Sequence, residues 1–415
     1  MTLKVLYIDG DGPMGGASRS LYEAVSRLVE HGVSPYFLVS SGTASNFYRK
    51  VAVDLIETRG MSKFDNTRYG YYRGARWLIL LREIFYFPFM FIALLRAKHR
   101  WKNVDLIHVN EYVYIIPALL AKFFFRAPLI VHVRSLARDS PHSRRVILLN
   151  YIFNRFVDSI VAIDGGVKNT LPQLLSVNVV NNSFSPALSN QPAPDFVERF
   201  EALRAGTLKV GFVGNLHLAK GVLEIVQAAC ILRGSSRDID FVLVGGVTLQ
   251  DKGLKAWLLS KLGFAQNFAS DLKNFIEKED LSGCCHILGP TLEIKYVYDR
   301  LDVLLFPSHF DAPGRPVFEA GFSNVPSIVA VEHPTEDTFI PYETGLAIAA
   351  KSPQALADAI AYLHDNPGER IRMGNNAHAL AKQNFMPEAN AKKLFNIYQI
   401  ALGNFKNRQG LGASR

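Results

Sequence analysis

Cysteine is scarce in this 415-residue chain. The three present, Cys230, Cys284 and Cys285, form no CxxC pair and no plausible disulfide framework. That excludes a disulfide-stapled scaffold and fits a reducing compartment such as the cytoplasm. No His/Cys spacing of a metal site is present, so no metal is expected. The apolar segment 77–102 has its longest uncharged run from Ile84 to Leu95, with Pro88 inside it, which is too short to span a bilayer. Internal repeats, long low-complexity stretches and helix-turn-helix, zinc-finger or RNP-type patterns are lacking, which argues against a nucleic-acid binder. The opening KVLYIDGDG reads as a strand and turn rather than a signal peptide.

What is present is ample apolar mass: 49% of residues are hydrophobic, enough for the packed cores of two or three domains. Charge is unevenly placed. Residues 1–190 hold 23 Lys and Arg against 13 Asp and Glu, a net +10, whereas the remainder holds 23 against 24, a net −1. A basic N-terminal half points to an anionic partner there. Trp77 and Trp101 flank an apolar, aromatic stretch that ends in Arg96, Lys98, Arg100 and Lys102. That combination suits a helix lying in a membrane interface; the alternative is a buried helix packed on a sheet.

Residues 304–330, LLFPSHFDAPGRPVFEAGFSNVPSIVA, read as strand, loop, short helix and strand. Loops at the carboxyl ends of parallel strands bind ligands in open α/β sheets. Gly314 allows close backbone approach, and helix-start N–H groups favour an anion such as diphosphate. Asp311 precedes the loop and Glu319 lies in the helix. Further βα units start at Lys4, Pro35, Val104, Leu129, Ile160, Leu208, Phe241 and His286. Gly15 and Gly16 lie in a turn that opens a helix after the first strand.

The Asp311–Glu319 spacing resembles the signature of retaining family 4 glycosyltransferases of the GT-B fold, a Glu, seven residues, then a Glu. KVGFVGNLHLAKG resembles that family's VGRLxxxKG segment, DLIHVN its DVVHxH segment, and Thr344-Gly345-Leu346 its later TG(L) element. The resemblance implies an α/β fold of two Rossmann-like doubly wound domains facing across a cleft. Residues 1–185 would form the N-terminal, acceptor-binding domain, rejoined by a C-terminal helix at about 388–403. Residues 186–206 would be a linker, 207–387 the nucleotide-sugar domain, and 404–415 a frayed tail.

It further implies a hexosyltransferase-type enzyme that moves a sugar from a UDP- or GDP-sugar to a hydroxyl of a glycan or lipid-linked glycan, retaining anomeric configuration. Bacterial surface polysaccharide or glycolipid assembly would be the setting, in the cytoplasm against an anionic inner membrane face. No cofactor is implied, since the nucleotide sugar is a substrate. Glu319 would hold the ribose. Lys220 and Gly314 would hold the diphosphate, with Gly15 and Gly16 facing the donor. Asn215 stands where the family has Arg, and Arg315 is a candidate to replace that charge. Asp311 would face the donor sugar or its phosphates. His132 and Arg134 are candidates for contact with sugar or acceptor, Arg134 because a guanidinium at a strand end can grip phosphate. Two other readings of the same fold stay open: a nucleotide-sugar epimerase, and a non-catalytic protein in which Asn215 and Asp311 mark lost activity.

Overall fold

The computed structural model describes residues 2–138, 140, 142–185, 192–246 and 268–413. They divide into two compact units. One comprises Met1–Ser185 with Phe385–Arg415, the other Pro186–Asn384.

The first unit is built on a seven-stranded sheet in the order β3-β2-β1-β4-β5-β6-β7, with every pair parallel. The strands are β1 (Leu3–Asp9), β2 (Val33–Ser40), β3 (Asp54–Thr58), β4 (Leu106–Val109), β5 (Leu129–Val133), β6 (Ser159–Ala162) and β7 (Val177–Val179). The central strands β4 and β5 are buried at every residue, as parallel strands covered on both faces must be. On one face, Leu21 and Val25 of the Gly16–Leu28 helix pack with Leu394 and Tyr398 of the Pro387–Ala413 helix. On the other, Met90, Ala93, Leu94 and Ala97 of the Ile79–Arg100 helix join Ile115 and Ala118. β1 pairs with both β2 and β4, so the strand order reverses there, and the loops after β1 and β4 flank that switch point.

The second unit repeats the logic with six parallel strands in the order β10-β9-β8-β11-β12-β13. They are β8 (Leu208–Val213), β9 (Ile239–Val244), β10 (Cys285–Gly289), β11 (Val303–Phe306), β12 (Ser327–Ala330) and β13 (Gly345–Ile348). The Val222–Leu232 and Pro353–Asp365 helices cover one face. The Arg315–Gly321 helix and buried Phe196 and Phe200 cover the other. Here β8 is the strand at which the order reverses, between β9 and β11.

Three expectations need revision. The proposed linker contains the helix Pro194–Glu201, started by a proline at its first turn and fixed by Phe196 and Phe200, four residues apart and both buried; residues 186–191 of that segment lie outside the described residues. The expected frayed tail is helical through Ala413, with 414–415 outside the described residues. The segment 77–102 is not limited by its uncharged run. The helical stretch Arg76–Arg100 passes through Pro88 and is, by length and composition, long and apolar enough to cross a membrane. Only 22% of its apolar 18-residue window is buried, with Leu78, Leu81 and Ile84 exposed; its inner side chains fix it to the globular unit. Four of them enter the sheet core, and the buried Glu83 carboxylate accepts the Lys63 backbone N–H at 2.6 Å. A carboxylate in hydrocarbon would lack that partner.

Candidate active site

In the second unit, the loops after β8 and β11 are fastened to each other. Gly221 has φ +75°, and a Cβ there would lie 2.0 Å from the Pro307 carbonyl oxygen, so only glycine allows the approach. The His309 backbone N–H donates to the Ala219 carbonyl at 3.0 Å. The His309 ring nitrogen Nε2 lies 2.7 Å from Glu224 Oε1 on the Val222–Leu232 helix.

Lys220 sits in this joint. It is half-buried, and burial pushes its pKa down. Its ammonium lies 5.3 Å from the Phe310 ring centroid and 5.6 Å from that of Phe306, and makes no ion pair or hydrogen bond with another described residue. A desolvated cation without a counter-charge is costly unless an anion arrives. Asn215, on the same loop, is exposed and adds no charge.

Glu319 is 3% exposed in the short Arg315–Gly321 helix. Its Oε1 accepts Arg315 Nε and Nη2, each at 2.9 Å, and its Oε2 accepts the Tyr298 hydroxyl at 3.0 Å. The Arg315 side chain is thus turned into an ion pair with Glu319, rather than replacing the charge missing at Asn215. The carboxylate keeps spare lone pairs beyond these bonds. Gly314 caps the helix, and a Cβ on it would lie 2.4 Å from the Phe306 ring. Packing on Phe306 therefore requires that glycine.

Asp311 is turned toward the loop after β12. It accepts the Glu332 backbone N–H at 2.8 Å and lies 3.3 Å from His333 Nδ1. Burial raises its pKa, but the Glu332 N–H and the His333 contacts outweigh that and leave it lowered. Asp311, Glu332 and His333 bring three ligand atoms within 4.8 Å of one another, the one such group among the described residues; Glu332 and His333 are exposed.

In the first unit, the carboxyl edge of the sheet gathers around Arg134, which follows β5. Its Nε donates to the Asn110 carbonyl at 3.0 Å and to Asn110 Oδ1 at 2.7 Å, and Nη1 donates to Asn182 Oδ1 at 2.7 Å. These acceptors are neutral, so they orient the guanidinium without cancelling its charge. Glu111 lies beside it, buried, accepting the Tyr112 N–H and the Ser135 hydroxyl, each at 2.8 Å. Burial pushes the Glu111 carboxyl up to about 7, against those hydrogen bonds and the Arg134 charge.

His132 lies behind Arg134, only 3% exposed. Its Nδ1 is 3.3 Å from His108 Nε2 and 3.5 Å from Arg134 Nη2, and its Nε2 is buried without a partner among the described residues. Burial, Arg134 and His108 all hold the ring neutral. The structure places His132 as part of the core under Arg134, not at an open surface.

Gly15 caps the Gly16–Leu28 helix, and a Cβ there would meet nothing within 4 Å. Among the described residues, then, packing gives no reason for glycine at 15. Asp9 and Asp11, just before it, are already committed. Asp9 accepts the Ser18 hydroxyl at 2.9 Å and also that of Tyr48, while Asp11 takes Lys63 Nζ at 3.0 Å and the Tyr114 hydroxyl at 2.6 Å.

Residues 14–182 match the family model for Glycosyltransferase Family 4, and residues 196–380 match that for Glycosyl transferases group 1. The chain belongs to this glycosyltransferase family. Its two units are the Rossmann-like domains of the GT-B fold. The HepE protein of Anabaena, solved in complex with UDP, superposes on this glycosyltransferase with a TM-score of 0.72, at 17% identity over 95% of this chain and 99% of that one. The D-inositol 3-phosphate glycosyltransferase of Corynebacterium glutamicum is 28% identical over 225 residues, which is 53% of this chain and half the length of that relative. The lipopolysaccharide core mannosyltransferase LpsB of Rhizobium meliloti is 25% identical over 311 residues, 72% of this chain and 82% of its own.

Several groups at this glycosyltransferase's two sheet edges escaped sequence reasoning. Tyr298, Glu224, Asn110 and Asn182 each hold a residue that motif spacing had singled out, or its loop. Asn110 carries a signal as a polar residue directly after a strand, and Asn182 carries one as part of the polar turn that follows β7. Tyr298 and Glu224 carry none, because their partners are 21 and 85 residues away in the chain.

Proposed function

We propose that this glycosyltransferase moves a sugar from a UDP- or GDP-sugar to a hydroxyl of a glycan or lipid-linked glycan, with retention of configuration. The observation that carries the reading is Lys220: a half-buried cation without an acidic partner among the described residues, in a loop tied to the one that leads to Glu319. In this reading the Lys220 ammonium neutralises the leaving diphosphate, and the second lone-pair set of Glu319 accepts the ribose hydroxyls. Asp311, bound to the Glu332 N–H, fixes the loops after β11 and β12 beside the donor sugar rather than meeting the phosphates. Arg134 grips the phosphate of the acceptor, with His132 as its neutral support. The leaving phosphate itself helps to deprotonate the acceptor hydroxyl, so no dedicated base and no metal are assigned.

The basic, aromatic first unit supports an acceptor that is both anionic and lipid-borne, and hence peripheral contact with the inner face of an anionic membrane. Surface polysaccharide or glycolipid assembly is the setting that combines these features. That HepE was solved with UDP and with UDP-glucose makes UDP-sugars the first donors to try.

The test is binding of a panel of UDP- and GDP-sugars to the purified protein by calorimetry. One donor should bind, and Glu319→Ala should weaken it by at least about tenfold, the order of a charge-assisted hydrogen bond. No binding by any donor would support a non-catalytic protein. Binding followed by isomerisation of the donor alone would support an epimerase.

A further inference from the structure

Under the first turns of the Ile79–Arg100 helix lies a cavity of about 450 Å³, inside the usual range of small-molecule pockets of about 300–1,000 Å³. Its apolar wall is made by Phe64, Trp77, Leu80, Ile84, Phe87 and Ile116. Four of these fall at 77, 80, 84 and 87, one stripe of a helix. Trp77, Leu80 and Ile84 are 54%, 39% and 60% exposed, so the cavity opens to the surface. Leu78 and Leu81, beside that stripe, are still more exposed, at 68% and 65%. An open cavity with so apolar a wall is unfavourable in water and favours an apolar occupant.

The charged groups in the wall indicate what kind. Glu83 is already spent on the Lys63 backbone N–H and on Arg82, at 2.6 and 2.8 Å. Arg145 lies 4.2 Å from the Tyr72 ring centroid and 4.6 Å from that of Phe64, and donates from Nη2 to the Asp65 carbonyl. Its Nη1 is buried with no hydrogen-bond partner among the described residues. Lys63 also lines the cavity, and its ammonium is ion-paired with Asp11, two residues after β1, at 3.0 Å. An apolar body with Arg145, a cation without an acidic partner among the described residues, in its wall and the Asp11-paired Lys63 beside it is complementary to an amphiphile with an anionic head. Lys63 further connects the cavity to the carboxyl edge of the sheet, where Arg134 stands.

We propose that this cavity holds the hydrocarbon chain of a phosphate-bearing lipid acceptor, with Arg145 supplying the positive charge that its phosphate meets and Lys63 turning from Asp11 toward it. A phosphate near Lys63 brings the attached sugar to the loop after β1. The assignment rests on the lipid-linked acceptor of the preceding section.

The test uses the full chain and farnesyl monophosphate as the probe, with farnesol and inorganic phosphate as controls, read by calorimetry. Farnesyl monophosphate should bind at least tenfold more tightly than farnesol, and inorganic phosphate should give no signal. Ile116→Trp, which fills the cavity, should weaken the probe at least tenfold while leaving UDP-sugar binding unchanged. Leu80→Trp, on the exposed rim, should act in the same direction and serves if the first variant does not fold. Wild-type probe affinity in both variants would overturn the cavity assignment, yet leave the lipid-linked acceptor standing if sugar transfer to a hydroxyl of a lipid-linked glycan is seen. Probe binding lost in the variants, but no transfer to any lipid acceptor, would overturn the acceptor reading and keep the cavity.

Discussion

Lys220 and Glu111 are both charges placed where water is scarce, and the chain treats them oppositely. Glu111 is surrounded by donors, yet burial still pushes its carboxyl up to about 7. A carboxyl that binds its proton more tightly folded than unfolded contributes stability that is complete below the unfolded pKa, near 4.5, and is lost as pH rises toward 7. Glu111→Gln removes that titration. The variant should therefore gain stability relative to wild type between about pH 4.5 and 7, with the difference flat above, as checked by urea unfolding across that range. A pH-independent difference would show that Glu111 does not titrate there. Lys220 has no such shell of partners, and burial pushes its pKa down. Removing an uncompensated charge relieves its desolvation. Lys220→Met should thus raise the melting temperature by a few degrees, about 2–4 °C per kcal/mol in a domain of this size. The same variant should lose nucleoside diphosphate binding at least about tenfold while keeping affinity for the nucleoside. A lower melting temperature would mean that Lys220 is a structural residue.

At the scale of elements, Gly221 joins the loops after β8 and β11. A side chain there meets both a left-handed backbone and the Pro307 carbonyl. Gly221→Ala should cost about 2 kcal/mol or more by thermal unfolding, whereas Gly234→Ala, with open space around it, should be nearly neutral. Equal effects would show that the joint is loose. The same element scale explains how far the sequence could be read. Buried parallel strands such as Leu129–Val133 and Val303–Phe306 are apolar runs bounded by turn residues, and their limits were legible to the residue. The edge strand Asp54–Thr58 mixes acids with apolar residues because only one side of it is paired, so no periodic signal marks it. Pro194–Glu201 was hidden by flanking prolines and polar residues, its register resting on Phe196 and Phe200 alone. Glu319 and Lys220 were legible because motif spacing within a βα loop fixes where they sit. The pairing of Arg315 with Glu319 was not, since an Arg four residues before a Glu on a helix is equally compatible with facing outward.

On the scale of the whole molecule, the division into units sharpens the charge asymmetry. With its C-terminal helix included, the first unit holds 28 Lys and Arg against 14 Asp and Glu, a net +14, and the second holds 18 against 23, a net −5. The cluster at the end of the Ile79–Arg100 helix adds to that field beside exposed Ile92 and Leu95. Arg100 also pairs with Asp54 at 2.6 Å, an exposed contact that contributes little to stability. Replacing Arg96, Lys98, Arg100 and Lys102 together by Gln should leave the fold and UDP-sugar affinity in place. It should weaken binding to vesicles containing anionic lipid by tenfold or more, since each basic residue near such a surface contributes about 1 kcal/mol. Raising salt from low to physiological strength should reduce wild-type vesicle binding and narrow the gap to the variant, because the attraction decays within a Debye length of about 8 Å. Sedimentation with vesicles measures both. Binding that ignores both salt and the four substitutions would mean that the basic face serves solubility and that the exposed apolar helix acts without it.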